Sequence, residues 1–283
     1  MSVRLLHGGW LCLVLCLFLL CPALSALGEA ENGTGLSLLA INVGKADALL
    51  LRSGSTAYLI DTGTKKSYEQ LERVLRREGV DRLTGVLLTH TDSDHVGGLK
   101  QLLASDISVD AVYASAYYNK KKHPAEKALK KSDQEVHYLK AGDSLPLDGG
   151  TLEVLGPLEP NDAKENCNSL VLLATGGGGS MLLTGDMEFP EEQSLLSAGL
   201  IPRADVLKVG NHGEGDATSD ALIAAVQPKL AVISTNTAEE PDTPDPRVLT
   251  LLSRWKVPVL QTQEAENGVR VTLLEGRIET ALE

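Results

Sequence analysis

Short apolar runs alternate with amphipathic stretches along this chain, and the two follow different periods. Runs that alternate every second residue, or stay aliphatic throughout, predict strands over 36–43, 48–52, 57–60 and 85–89. Further strands are expected over 111–114, 136–139, 152–155, 206–209, 230–234, 259–261 and 269–274. Residues 169–174 and 180–184 read as a hairpin across four glycines. Leu71, Val74 and Leu75 fall on one face of a helix predicted over 68–78. Helices are also expected over 95–104, 190–198, 220–226 and 246–255. The glycine run is not a phosphate loop, because a strand follows it where such a loop needs a helix N-terminus. Periodicity by itself establishes a mixed α and β protein.

The first 25 residues depart from this pattern. Arg4 precedes an apolar run over 10–20, and Ala23-Leu24-Ser25 supplies the small residues of a cleavage site. The run is shorter than the ~20 residues a membrane-spanning helix needs. It reads as an export signal over 1–25, cut near Ser25, followed by a short polar lead over 26–35 and a domain over 36–283. A secreted or cell-envelope exterior location is expected, with no stable membrane span in the mature chain. Cys16 and Cys21 each follow a Leu, not the small residue of a lipidation site. Once Cys12, Cys16 and Cys21 leave with the signal, Cys167 remains alone, and no internal disulfide can form. Asn32-Gly33-Thr34 is a formal glycosylation sequon.

Composition adds a large aliphatic core. The 283 residues are 43% hydrophobic with only two Phe and two Trp, so Leu, Val and Ile must fill the interior. The chain carries 26 basic and 38 acidic residues, net −12, and therefore repels nucleic acid over most of its surface. One segment runs against that balance. Lys120, Lys121, Lys122, Lys127, Lys130 and Lys131 follow Tyr117 and Tyr118. This is either a strand-tracking patch with stacking aromatics or a solvated helix face.

The densest chemistry lies at Leu88-Thr89-His90-Thr91-Asp92-Ser93-Asp94-His95-Val96-Gly97-Gly98. His90, Asp92, Asp94 and His95 are all metal-capable and sit where a strand gives way to a loop and a helix. Imidazole and carboxylate hold Zn²⁺ or Mn²⁺ while leaving positions open to water. A helix cap explains Asp94 alone; it does not explain two histidines and a second aspartate. His123 and His137 lack ligand spacing and read as surface residues.

These residues resemble the His-x-His-x-Asp-His signature of the metallo-β-lactamase superfamily, with Asp92 in place of the middle His. That variant is similar to the hydrolase domain of the ComEC DNA-internalisation proteins and its stand-alone relatives. The segments 41–48, Leu59-Ile60-Asp61-Thr62-Gly63, 168–172, Leu183-Thr184-Gly185-Asp186 and 207–213 follow in the order the resemblance implies. It covers the chain from about Leu36 onward. It implies a single four-layer αβ/βα sandwich of two facing sheets with helices outside.

The resemblance also implies a ligand set. His90 and Asp92 serve one metal, Asp94, His95 and His212 the other, and Asp186 bridges both. Asp94, Asp186 and His212 are the expected catalytic residues. Asp61 is expected to orient the metal loop. Lys45, Asn168, Lys208 and Asn211 are candidates to hold an anionic substrate. Two divalent ions, Zn or Mn, are the implied cofactor. Two departures stand out: 166–169 lacks the third His of the first site, and Thr243 replaces a late His. The reading is a secreted metal-dependent phosphodiesterase acting on nucleic acid or nucleotides, with no protein partner inferred. Alternatives are a lactone, β-lactam or thioester hydrolase, or a degenerate module that binds nucleic acid or envelope without cutting.

Overall fold

The computed structural model describes residues 34–117, 126–132 and 134–283. The export-signal reading, the sequon Asn32, His123, Tyr118 and Lys120 to Lys122 fall outside these residues. Residues 33–283 form one compact unit.

Two sheets carry the fold. The eight-stranded sheet runs in the order Arg277–Leu282, Gly268–Leu274, Leu36–Ile41, Leu49–Ser53, Thr56–Ile60, Gly85–Leu88, Val112–Ser115, Val136–Leu139. The seven-stranded sheet runs Val259–Gln261, Leu230–Ile233, Val206–Lys208, Gly179–Leu183, Val171–Gly176, Gly150–Gly156, Ser144–Leu147. Strand alternation sorts their side chains into separate layers. Leu36, Leu38 and Ala40 point between the sheets, where they meet Leu172, Ala174 and Met181 of the other sheet. Leu39 and Ile41 point the opposite way, onto the helix Tyr68–Arg77 through Leu71, Val74 and Leu75. On the far side, Val171 and Leu173 pack under the helices Phe189–Ser197, Asp220–Val226 and Pro246–Arg254. Three apolar interfaces thus separate four layers, as the αβ/βα sandwich requires.

Most predicted elements lie within a residue or two of the observed ones, and the hairpin closes across Gly177 and Gly178. The helix expected over 95–104 is a correction. It is two short turns, Ser93–Val96 and Leu99–Leu102, broken at Gly97 and Gly98. A Cβ on Gly97 would sit 2.5 Å from the Lys65 nitrogen, and one on Gly98 would sit 2.3 Å from the Thr62 oxygen. The glycines let the 62–65 loop lie directly against the metal loop. The edge strands Arg277–Leu282 and Ser144–Leu147 were not expected. The first is almost wholly exposed, and the second contains Pro146, which an edge position tolerates. Among the described residues, no helix is long and apolar enough to cross a membrane.

Candidate metal centre

The candidate residues gather because parallel strands end together. Thr56–Ile60 pairs in parallel with Gly85–Leu88, and Gly179–Leu183 with Val206–Lys208 and then Leu230–Ile233. Each strand releases its loop at the same edge of the sandwich. Asp61 follows the first, His90 and Asp92 the second, Asp186 the third and His212 the fourth. Two local devices aim the side chains. Gly185, at φ +49°, lets its turn pass within van der Waals distance of Ser169 and Thr89. Asn211 and His212 both occupy the left-handed region, at φ 46° and 53°, so the chain doubles back and presents the imidazole inward.

All six residues expected as ligands come together. Asp186 Oδ2 lies 3.2 Å from His95 Nε2, 3.5 Å from His212 Nε2 and 3.9 Å from His90 Nε2. Asp94 Oδ2 lies 3.5 Å from His212 Nε2, and Asp92 Oδ2 lies 3.8 Å from His90 Nε2. The three rings are buried, whereas the Asp92 side chain is half exposed.

The hydrogen bonds fix the tautomers. His212 Nδ1 faces the Ser234 carbonyl at 3.0 Å, which can only accept, so Nδ1 carries the proton. His95 Nδ1 lies 2.7 Å from the Asp61 carboxylate. His90 Nδ1 faces the Thr89 hydroxyl at 3.1 Å, and that hydroxyl itself donates to Asp61 at 2.7 Å. With Nδ1 engaged in each case, every ring turns its Nε2 toward Asp186. His90, His95 and His212 Nε2 and Asp186 Oδ1 have no hydrogen-bond partner, although all are buried. Unpartnered donors aimed at one point in a protein interior fit a divalent cation and little else. Asp94, His95, Asp186 and His212 form the tighter set, with ligand atoms within 4.8 Å of one another. His90 and Asp92 share only Asp186 with that set, so the first position is poorer in donors.

Electrostatics agree. Burial, reinforced by His95, pushes His90 down to about 3, which leaves its lone pair free. Burial would lower His212 too, but the Asp186 and Asp94 carboxylates outweigh it and hold it at about 9. Burial would raise Asp94, but the His212 ring 3.5 Å away and the charge of His95 bring it to about 2. The centre thus holds protons where a cation would otherwise sit, and the two compete.

The expected substrate residues are already engaged within the protein. Lys208 is fully buried, its Nζ 3.0 Å from Asp47 Oδ2 and 3.1 Å from the Val209 carbonyl. Asn168 is committed to Asn161 and Glu165 within its own loop. Asn211 Nδ2 bonds Asp216. Lys45 pairs with Glu214 at 3.1 Å and Glu240 at 3.0 Å. Each amine or amide already has partners that a ligand would have to displace. Thr243 donates to Glu214, extending the Lys45 cluster. Asp47 is the residue the sequence reading passed over. An aspartate inside the apolar run Ala46-Asp47-Ala48-Leu49-Leu50 signals a buried partner. Cys167 is buried and unpaired, as a small packing residue.

Fold and centre together define a class. A family model for the metallo-β-lactamase superfamily matches residues 41–237, and the chain belongs to that superfamily. Within it, the chain is similar to ComE operon protein 3 of Bacillus subtilis, 31% identical over 99% of this chain and 37% of that protein. Recombination protein 2 of Haemophilus influenzae is 31% identical over 84% of this chain and 29% of its own length. The chain therefore spans well under half of these relatives. The metallo-β-lactamase fold protein YhfI of Bacillus subtilis shares the fold, with TM-score 0.56 and 13% identity, covering 84% of this chain and 99% of that one.

Proposed function

We propose that this chain is an exported metal-dependent hydrolase that cuts phosphodiester bonds in nucleic acid or nucleotides. The observation that carries the reading is the convergence of three unpartnered imidazole Nε2 atoms on Asp186, flanked by Asp92 and Asp94. His90 and Asp92 would hold one ion, Asp94, His95 and His212 a second, and Asp186 would touch both. The mixed carboxylate and imidazole set suits Zn²⁺ or Mn²⁺. Bound ions would supply a hydroxide at neutral pH and take up charge on the scissile group.

The chain's own residues hold the arrangement still. Asp61 fixes the His95 ring, the Ser234 carbonyl fixes His212, and Thr89 and Ser169 fix His90. The exposed Asp92 and the partly exposed Asp94 mark the open face, from which substrate enters. A relative named as a recombination protein supports a nucleic-acid substrate. Export rests on residues 1–25, with the hydrolase domain over 36–283.

The test is elemental analysis of the purified chain after reconstitution with Zn²⁺ or Mn²⁺, followed by turnover of single-stranded DNA, bis-p-nitrophenyl phosphate and nitrocefin. The expected result is about two ions per chain and phosphodiester turnover. Turnover of nitrocefin alone would replace this reading with the carbonyl-substrate one. Absence of bound metal would leave a binding module.

A further inference from the structure

A groove of about 700 Å³ opens beside the metal loop, lined by Lys65, Lys66, Lys100, Ser93, Gln101 and Glu239 among others. Ser93 stands between Asp92 and Asp94, so one wall of the groove is the metal loop itself. The three lysines are exposed, and among the described residues none pairs with a carboxylate. In a chain with net charge −12 that placement is unusual, because most other described cations near the site are already paired, as Lys45 is with Glu214 and Glu240. Among the described residues Glu239 is the one acid in the lining, and its carboxylate accepts from the Lys45 backbone N–H at 2.9 Å.

The lysines are held in register with the centre by backbone. Thr62 N donates to the His95 carbonyl at 2.6 Å, Gly98 N to the Gly63 carbonyl at 3.2 Å, and Gln101 Nε2 to the Lys65 carbonyl at 3.1 Å. Gly97 and Gly98 permit this contact, as a Cβ on either would strike the 62–65 loop. The loop that bears Lys65 and Lys66 is thus tied to the backbone at His95, and Lys100 lies in the next turn, Leu99–Leu102.

We infer that this groove is a polyanion subsite that seats the phosphate backbone of a single nucleic-acid strand and leads it to Asp92 and Asp94. The inference rests on the phosphodiesterase reading and deepens it. The volume matches a short stretch of strand, within the ~300–1,000 Å³ of ordinary ligand sites. Among the described residues no aromatic side chain lines the groove, so recognition is through phosphate and indifferent to base. Three mobile ammonium groups suit such contact, since lysine acts as a point charge and not as a planar fork.

The experiment compares the parent with Lys65→Gln/Lys66→Gln/Lys100→Gln in the full chain. A charge-matched control carries Lys140→Gln/Lys229→Gln/Lys256→Gln, none of which lines the groove. Binding is read by fluorescence anisotropy with a short single-stranded oligonucleotide whose phosphorothioate backbone resists cleavage, across a salt series. Loss of three single-strand phosphate contacts should reduce the slope of log affinity against log salt by about 2. Affinity of the groove variant should fall at least tenfold while the control stays near the parent. DNA turnover should fall mainly through KM, and bis-p-nitrophenyl phosphate turnover by much less. Equal affinity and slope in parent and groove variant overturn the subsite. Equal losses in groove variant and control also overturn it, since the effect would then be bulk charge. A parent that binds DNA through the lysines but hydrolyses no phosphodiester would keep the subsite and remove the proposed function.

Discussion

Asp61 Oδ2 lies 2.7 Å from His95 Nδ1, and both side chains are fully buried. Asp61 holds φ at +61°, a region that aspartate and asparagine tolerate better than most residues. Its other oxygen accepts from Thr89 N at 2.8 Å, so one carboxylate ties the metal loop to itself and sets the His95 ring. Removing such an orienting carboxylate costs ~10–100-fold in metal affinity or activity. Asp61→Ala should show that loss in a chelator competition assay. Asp61→Asn keeps an acceptor and the backbone angle, and should lose less. Parent-like metal affinity in Asp61→Ala would disprove the orienting role.

Asp186 faces all three imidazoles, whereas Asp92 faces only His90. Asp186→Ala should therefore reduce phosphodiester turnover well beyond the ~10–100-fold typical of a single supporting contact, and Asp92→Ala by less. The comparison uses bis-p-nitrophenyl phosphate at saturating Mn²⁺, with folding checked by circular dichroism. Equal residual activity in the two variants would show that Asp186 does not serve both positions.

Lys208 and Asp47 form a buried ion pair beneath His212, whose Nδ1 lies 3.9 Å from Asp47 Oδ1. Breaking a buried pair leaves an uncompensated charge and costs ~3–5 kcal/mol. Asp47→Asn and Lys208→Met should each lose about that much in urea unfolding, and the double variant less than their sum. Burial would raise Asp47, but Lys208, His212 and His95 hold it below its usual 3.8. Its stabilising contribution is therefore present above that pH and lost as pH falls through the lowered value. Strict additivity of the two substitutions would contradict a direct pair.

Glu191 is buried on the helix Phe189–Ser197, and neither of its carboxylate oxygens has a hydrogen-bond partner. Burial raises its pKa well above the usual 4.5. The folded state then binds a proton that the unfolded state has released, so stability falls as pH rises from about 4.5 through the raised value. Glu191→Leu should remove that slope and stabilise the protein at neutral pH by about 1–3 kcal/mol. Thermal unfolding of both proteins across a pH series measures it; parallel curves would refute the buried-acid reading.

Much of the fold was legible in the sequence. The nearly continuous apolar run Leu36–Ile41 marks a strand buried on both faces, and the spacing of Leu71, Val74 and Leu75 marks a helix against one of them. The exposed edge strand Arg277–Leu282 was invisible because backbone pairing, not an apolar face, holds it in place. The broken helix after His95 was misread because glycine spacing reveals no partner. Only the 62–65 loop packed against it explains Gly97 and Gly98.

The same division holds at the site. By itself the sequence determined that His90, Asp92, Asp94 and His95 share one loop, since ligand-capable residues that close in the chain must be close in space. It also placed Asp186 and His212 at strand ends, through the apolar runs before them. Tertiary structure alone decided that these ends meet, because parallel register between strands distant in the chain fixes which loops share an edge. It alone buried Lys208 against Asp47 and left Lys65, Lys66 and Lys100 facing an open groove. A lysine's charge is written in the sequence, but whether that charge meets a carboxylate or solvent depends on what the folded chain packs beside it.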